Sequence, residues 1–256
     1  MISATLQEEI DLKKTYLEKR FGPEYKLKIR KRESAALDGL TNVYSWWLEN
    51  PKMRRQLLTA DPKDRRNIVR VARKGANRVK EAWNSLRGQP ALTNNLSRSL
   101  LWDVAYVVDP QNTKYRDSTA TLGLRSYIPP NPIKIPHLID EIINYVTNEG
   151  KSLHPVELAA YLHLKIAGIQ AFNDGNKRVS RLLQNKALVD ANLPVALIHS
   201  GERDLYIDLL ESGLADQRDG KSKGVRDFYD FVGTKVNMGL DGILNDIPEA
   251  HRIYRK

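Results

Sequence analysis

The chain has 256 residues, 41% hydrophobic and 28% charged, enough apolar material to bury a sizeable core and a composition that excludes a disordered or fibrous chain. It contains no cysteine, which rules out a disulfide scaffold, a thiolate metal site and a cysteine nucleophile. The net charge of +10 is concentrated in one place: residues 51–100 alone carry 13 Lys and Arg against 3 Asp and Glu.

In chain order, the opening stretch MISATLQEEIDLKKTYLEKRFG is charged and amphipathic. It lacks the apolar core and small-residue cleavage site of a signal peptide, and no run of about 18 apolar residues occurs anywhere, so the expectation is a soluble cytoplasmic protein with no membrane span. In the basic block, Ile68, Ala72, Ala76, Val79, Trp83 and Leu86 fall on one helical stripe between Asp64 and the stop signal at Gly88 and Pro90. Arg66, Arg70, Arg73, Lys74, Lys80 and Arg87 point elsewhere, either as a solvated cationic face or as a surface for nucleic acid or an acidic partner.

Residues 88–136 are broken by Gly and Pro, and Thr119 to Ile128 (TATLGLRSYI) is the best hairpin candidate, followed by the breaker PPNP. Helical spacing then returns at about 137–148, 155–169, 177–190, 201–214 and 223–245. The fold class expected is mainly α, with a helical region at 1–100 that includes the basic helix at 64–87, a helical core at 101–256, and a short β-hairpin as the exception.

The chemistry concentrates between two of these helices, in Gln170-Ala-Phe-Asn-Asp-Gly-Asn-Lys-Arg178 followed by Arg181. Asp174-Gly175-Asn176 forms a tight turn that opens into a helix, where backbone N–H groups and the positive helix end converge on an anion. Lys177, Arg178 and Arg181 add cationic side chains suited to a polyphosphate. Asp174 offers the single carboxylate through which Mg²⁺ binds alongside substrate phosphates. Phe172, apolar among polar neighbours, reads as the anchor that holds the loop on the core. The same residues also read as an ordinary capped loop with a basic helix start.

The segment QAFNDGNKRVSR (170–181) resembles the signature of the Fic family, His-Pro-Phe-x-Asp/Glu-Gly-Asn-Gly/Lys-Arg-x-x-Arg, at seven of its nine defined positions. The stretches HPVELAAYLHLKIAGI before it, and RLLQNKALVDANLPVALI and ERDLYIDLLESGLADQRDG after it, are similar to the family's flanking helices. The resemblance implies a Fic-like helical core that binds ATP and Mg²⁺ and transfers AMP to a protein hydroxyl. Asp174 would ligate the metal, Gly175 and Asn176 would cradle phosphates, and Arg178 and Arg181, with Lys177 beside them, would hold the distal phosphates. The hairpin residues Thr121, Leu122, Gly123, Leu124, Arg125, Ser126 and Tyr127 would be the flap that pairs with a protein target by strand addition.

Two departures bear on activity. Gln170 stands where the motif carries its general-base His, and an amide oxygen is too weakly basic to accept the hydroxyl proton near neutral pH. Ala171 replaces the motif's Pro. The expectation is a nucleotide-binding protein of weak, altered or absent transferase activity. Lys177 is the choice seen in the Doc branch, which makes phosphate transfer an alternative chemistry. A binding module using residues 52–98 on nucleic acid or an acidic protein is a third reading. His163, two turns before Gln170, reads as structural, and His154, beside Pro155, as a helix cap. Upstream, Ser34-Ala-Ala-Leu-Asp38-Gly39-Leu40 is similar to the family's inhibitory helix motif, which implies that Asp38 would face Arg181 and compete with nucleotide. A protein substrate or an antitoxin-like chain would be the partner.

Overall fold

The computed structural model describes residues 1–37, 51–120 and 127–250, and the regular elements among them are all helical. The inhibitory-type residue Asp38 and the hairpin residues Thr121 to Ser126 lie outside the described residues. No described helix is long and apolar enough to cross a membrane.

The chain opens with α1 (Ala4–Leu37), two helices merged across a kink at Phe21, whose backbone is non-helical (φ −130°, ψ 28°) two residues before Pro23. Pro23 lacks an N–H and crowds the preceding turn, which is sufficient cause. α2 (Pro51–Thr59) is followed by α3 (Pro62–Arg87). The start of α3 is fixed by Asp61, whose carboxylate accepts from the Lys63 and Asp64 amides at 2.8 and 2.9 Å, with Pro62 in the first turn. The expected stripe of Ile68, Ala72, Ala76, Val79, Trp83 and Leu86 is buried, joined by Ala82. Trp83 donates Nε1 to the buried Glu33 carboxylate of α1 at 3.1 Å, and Arg87 pairs with the same carboxylate at 3.2 Å.

The short α4 (Leu92–Asn95) leads into α5 (Arg98–Val108), a helix the Gly/Pro-rich reading of 88–136 did not anticipate. Ser97 caps it by accepting from the Leu100 amide at 3.2 Å, and Leu100, Leu101, Val104, Ala105 and Val108 are buried. Beyond a 3₁₀ turn at Pro132–Lys134 come α6 (Ile135–Asn148), α7 (Pro155–Ile169) and α8 (Asn176–Asp190). His154 does cap α7, its Nδ1 accepting from the Val156 amide at 3.3 Å.

α7 and α8 pack against each other at the centre, and both are buried on nearly every face, as expected of helices surrounded by others. α9 (Arg203–Arg218) and α10 (Lys223–Asp246) pack against each other and against α7, and α1 lies along α10. The chain's first residues are tied into this centre: the Ile2 amide donates to Glu157 of α7 at 3.0 Å and the Ser3 amide to Asp230 of α10 at 2.7 Å. One hydrophobic cluster runs from Ile2 through Trp83, Ile139, Leu164 and Phe228 to Ala250, so the N-terminal helices share a core with the rest.

Candidate active site

The α7–loop–α8 unit carries seven of the residues singled out in the sequence: Gln170, Asp174, Gly175, Asn176, Lys177, Arg178 and Arg181. α7 ends at Gln170, whose backbone is left-handed (φ 50°, ψ 52°). That conformation stops the helix and turns the chain into the loop. The Gln170 side chain folds back on its own helix, Nε2 donating to the Ala167 carbonyl at 2.6 Å, while Oε1 accepts from Asn176 Nδ2 at 3.4 Å. Both ends of the amide are thus engaged internally.

Asn176 braces the loop across its neck. Its Oδ1 accepts from the Phe172 amide at 2.9 Å and its Nδ2 donates to the Phe172 carbonyl at 2.7 Å. Phe172 is buried as an anchor, with its ring centroid 6.2 Å from Trp102 and 5.8 Å from Tyr115. The Asn176 side chain is therefore committed to the loop, and it leaves the first-turn amides of α8 without a side-chain cap. Gly175 precedes that turn at φ +83°, and no side chain caps the helix. A Cβ at Gly175 would sit 2.8 Å from Val108 Cγ1, so the position demands glycine for both conformation and space.

Asp174 and Arg178 form an i,i+4 ion pair at 2.8 Å, with Asp174 exposed and Arg178 buried. Asp174 Oδ1 also accepts from the Gly175 amide at 2.6 Å. The Nε of Arg178 is buried without a hydrogen-bond partner among the described residues, an orphaned donor at the helix mouth. Arg181, one turn further and also buried, donates Nη1 to the Tyr206 hydroxyl at 3.4 Å and lies over the Tyr206 ring at 5.9 Å. Behind it, the fully buried His163 is held between Tyr206 (Nε2 to hydroxyl, 3.0 Å) and Gln184 (Nδ1 to Oε1, 2.6 Å). With its ring edge-on to Phe228 at 5.1 Å, His163 is a core residue supporting Arg181 through Tyr206, as read from the sequence, and is not a base for the loop.

Two residues outside the motif hold the loop in place, and the sequence offered no sign of either. Asn112, fully buried, donates Nδ2 to the Ala105 carbonyl at 3.1 Å and to the Asp174 carbonyl at 2.9 Å. Arg116, also buried, donates to the Gln170 carbonyl at 2.5 Å, Ser118 at 2.7 Å, Pro130 at 2.5 Å and Ile169 at 3.3 Å. Its guanidinium thereby joins the start of the loop after α7 to Ser118 and Pro130. Burial pushes the Arg116 guanidinium below its ordinary range.

The donor set fits a nucleotide with Mg²⁺. The uncapped start of α8 follows the exposed Asp174 carboxylate, which pairs with Arg178, and Arg181 lies one turn further along the same helix; Mg²⁺ is held by one or two carboxylates plus phosphate oxygens. No group of three or more His, Cys, Asp or Glu side chains forms a self-sufficient metal site among the described residues. Tyr127 is half-buried beside Gly168, its hydroxyl 3.3 Å from where a Cβ there would sit. Ser34 lies exposed near the end of α1.

Residues 95–188 match the Fic/DOC family model, and the chain carries a Fic/DOC family domain. It is 33% identical over 147 residues to a protein named Protein adenylyltransferase Fic from Drosophila persimilis, covering 56% of this chain and 27% of that relative. The chain thus spans about a quarter of the length of the curated relatives it matches. Among solved structures, a Fic domain containing signaling protein from Bacteroides thetaiotaomicron superposes with a TM-score of 0.71 at 18% identity, covering 92% of this chain and 95% of that one. A Fic-1 fragment from C. elegans gives 0.64 at 16% identity, covering 94% and 71%.

Proposed function

We propose that this chain binds a nucleoside triphosphate with Mg²⁺ at the start of α8 and that its capacity to transfer AMP to a protein hydroxyl is weak or absent. Protein AMP transfer is the activity named for its curated relatives. In that reaction the hydroxyl oxygen attacks the α-phosphorus, the bond to the β-phosphate oxygen breaks, pyrophosphate leaves, and the hydroxyl proton must go to an acceptor. Asp174 would hold the metal, which supplies charge neutralisation when bound. The α8 amides, Arg178 and Arg181 would hold phosphate oxygens, with Lys177 adding charge.

The observation that carries the second half of this reading is Gln170. An amide cannot take the proton, and here its two ends are already occupied by Ala167 and Asn176. His163 is not a substitute, being enclosed between Gln184 and Tyr206. Loss of a positioned base forfeits roughly 10²- to 10⁴-fold in rate. Incubation with ATP labelled on the α-phosphate tests this in a lysate of candidate target proteins. No label transfer by wild type and measurable transfer by Gln170→His is the expected pattern. Equal transfer by both would overturn the assignment of the defect to Gln170.

A further inference from the structure

The cationic face of α3 has no part in the nucleotide site. Arg65, Arg66, Arg70, Arg73, Lys74 and Arg78 line one strip of this helix, accompanied by Val69, Asn77 and a single acid, Glu81. From Arg65 to Arg78 the strip is about 20 Å long at the rise of an α-helix. All six are exposed except the half-buried Arg78. The core has no claim on them, because the buried stripe of α3 lies on its other side.

The arrangement is unfavourable for the helix alone. Arg66, Arg70, Lys74 and Arg78 form an unbroken i,i+4 ladder of like charge, each step of which destabilises an isolated helix by about 0.2–0.5 kcal/mol. A face that serves only solubility mixes signs evenly, and this one sets six cations against the single acid Glu81. Among the described residues, the side-chain hydrogen bonds of this strip go to neutral acceptors, Arg65 to the Ala60 carbonyl at 3.4 Å and Arg70 to Asn67 Oδ1 at 3.0 Å, and these leave its charge in place.

We propose that this face binds the phosphate backbone of duplex nucleic acid. An acidic protein surface is the poorer fit, because a protein interface needs a desolvated apolar centre and the strip offers only Val69. Single-stranded nucleic acid is also a poorer fit, since its binding relies on aromatic platforms and the strip contains none. A duplex backbone requires only a rod of cations along a charge-dense polymer, and such contacts position without reading sequence.

The test uses the full chain and fluorescent DNA and RNA duplexes of about 20 base pairs, each in two unrelated sequences, across a salt series. Engagement of four to six phosphates predicts that affinity falls roughly 10²- to 10³-fold between about 50 and 200 mM salt. The two sequences should bind alike, and the DNA and RNA arms identify which duplex is preferred. The triple variant Arg66→Glu, Arg70→Glu, Arg73→Glu should lose binding at least about tenfold and flatten the salt slope by about 0.9 for each contact removed. The triple Gln variant, which only neutralises, should show a smaller loss in the same direction. No binding by wild type at about 50 mM salt, or undiminished binding by both variants, would overturn the proposal. So would tighter binding to a polyglutamate peptide than to duplex, which would assign the face to an acidic protein.

Discussion

Gln170 Nε2 donates to the Ala167 carbonyl at 2.6 Å, so the residue at the first position of the motif closes the C-terminus of its own helix. It does so with a left-handed backbone, at φ 50°. Two opposing terms then decide what substitution does. Gln170→Ala removes the hydrogen bond and keeps the left-handed strain, whereas Gln170→Gly removes the bond and relieves the strain. The capping bond is worth about 1 kcal/mol and the strain a similar amount, so Gly should be near wild type in chemical denaturation and Ala about 1 kcal/mol less stable. The order of the two variants reports the strain, and wild-type stability in Gln170→Ala would show that the side chain is not acting as a cap.

Arg116 is expected to be the most sensitive residue outside the motif. It serves four carbonyls with one planar fork, and a lysine offers its donors from a single point. Arg116→Lys should therefore lose about 2 kcal/mol or more by urea denaturation, because at least one buried carbonyl is orphaned. Wild-type stability in this variant would mean the carbonyls are satisfied without the fork.

Gly175 is constrained twice, by φ +83° and by the 2.8 Å approach of Val108 Cγ1 to a Cβ. Gly175→Ala should be destabilised by about 1–3 kcal/mol and should bind nucleotide more weakly than that loss alone explains, since the helix start is displaced. A variant with unchanged stability and binding would contradict the account of the cradle.

The α1–α10 contact should titrate at both ends of the pH range. Lys13, buried, donates to Glu9 at 2.7 Å and Asn237 at 2.8 Å and pairs with Asp241 at 2.5 Å. Burial alone would push its ammonium down, but the hydrogen bonds to Asp241 and Glu9 outweigh this and raise it above its ordinary 10.5. A raised lysine contributes stability that is complete below 10.5 and lost as pH rises through the folded value. Glu9 is held below its ordinary 4.5 by Asn237 and then Lys13, so its contribution is present above 4.5 and lost as pH falls through the folded value. Thermal unfolding of wild type should therefore drop at the alkaline end by more than that of Lys13→Met. Parallel curves would remove Lys13 from the account.

The core helices were legible because their signals are local. α3 shows a strict apolar stripe that stops at Gly88, although its cap is Asp61 and its start Pro62 rather than the expected Asp64, and α7 opens with His154-Pro155. α5 was missed because LLWDVAYVV is apolar on too many faces to show a period, and only Ser97 marks its start. The motif's own residues were legible as a turn opening into a basic helix. The work of Asn112 and Arg116 was not, since their partners lie 62 and 54 residues away in sequence and meet them only once α5 and α7 have packed. Asn176 shows the same limit in reverse: its type and position read as a phosphate ligand, while its side chain is committed to Phe172.

The central claim is nucleotide binding at the start of α8, and titration calorimetry with ATP and Mg²⁺ on wild type and Arg178→Ala addresses it most directly. Saturable heat from wild type, abolished or reduced at least about tenfold in a variant that retains its helical circular dichroism, is the predicted result, since a charge-assisted contact contributes about 1.5–3 kcal/mol. No heat from wild type, or equal affinity in the variant, would contradict it.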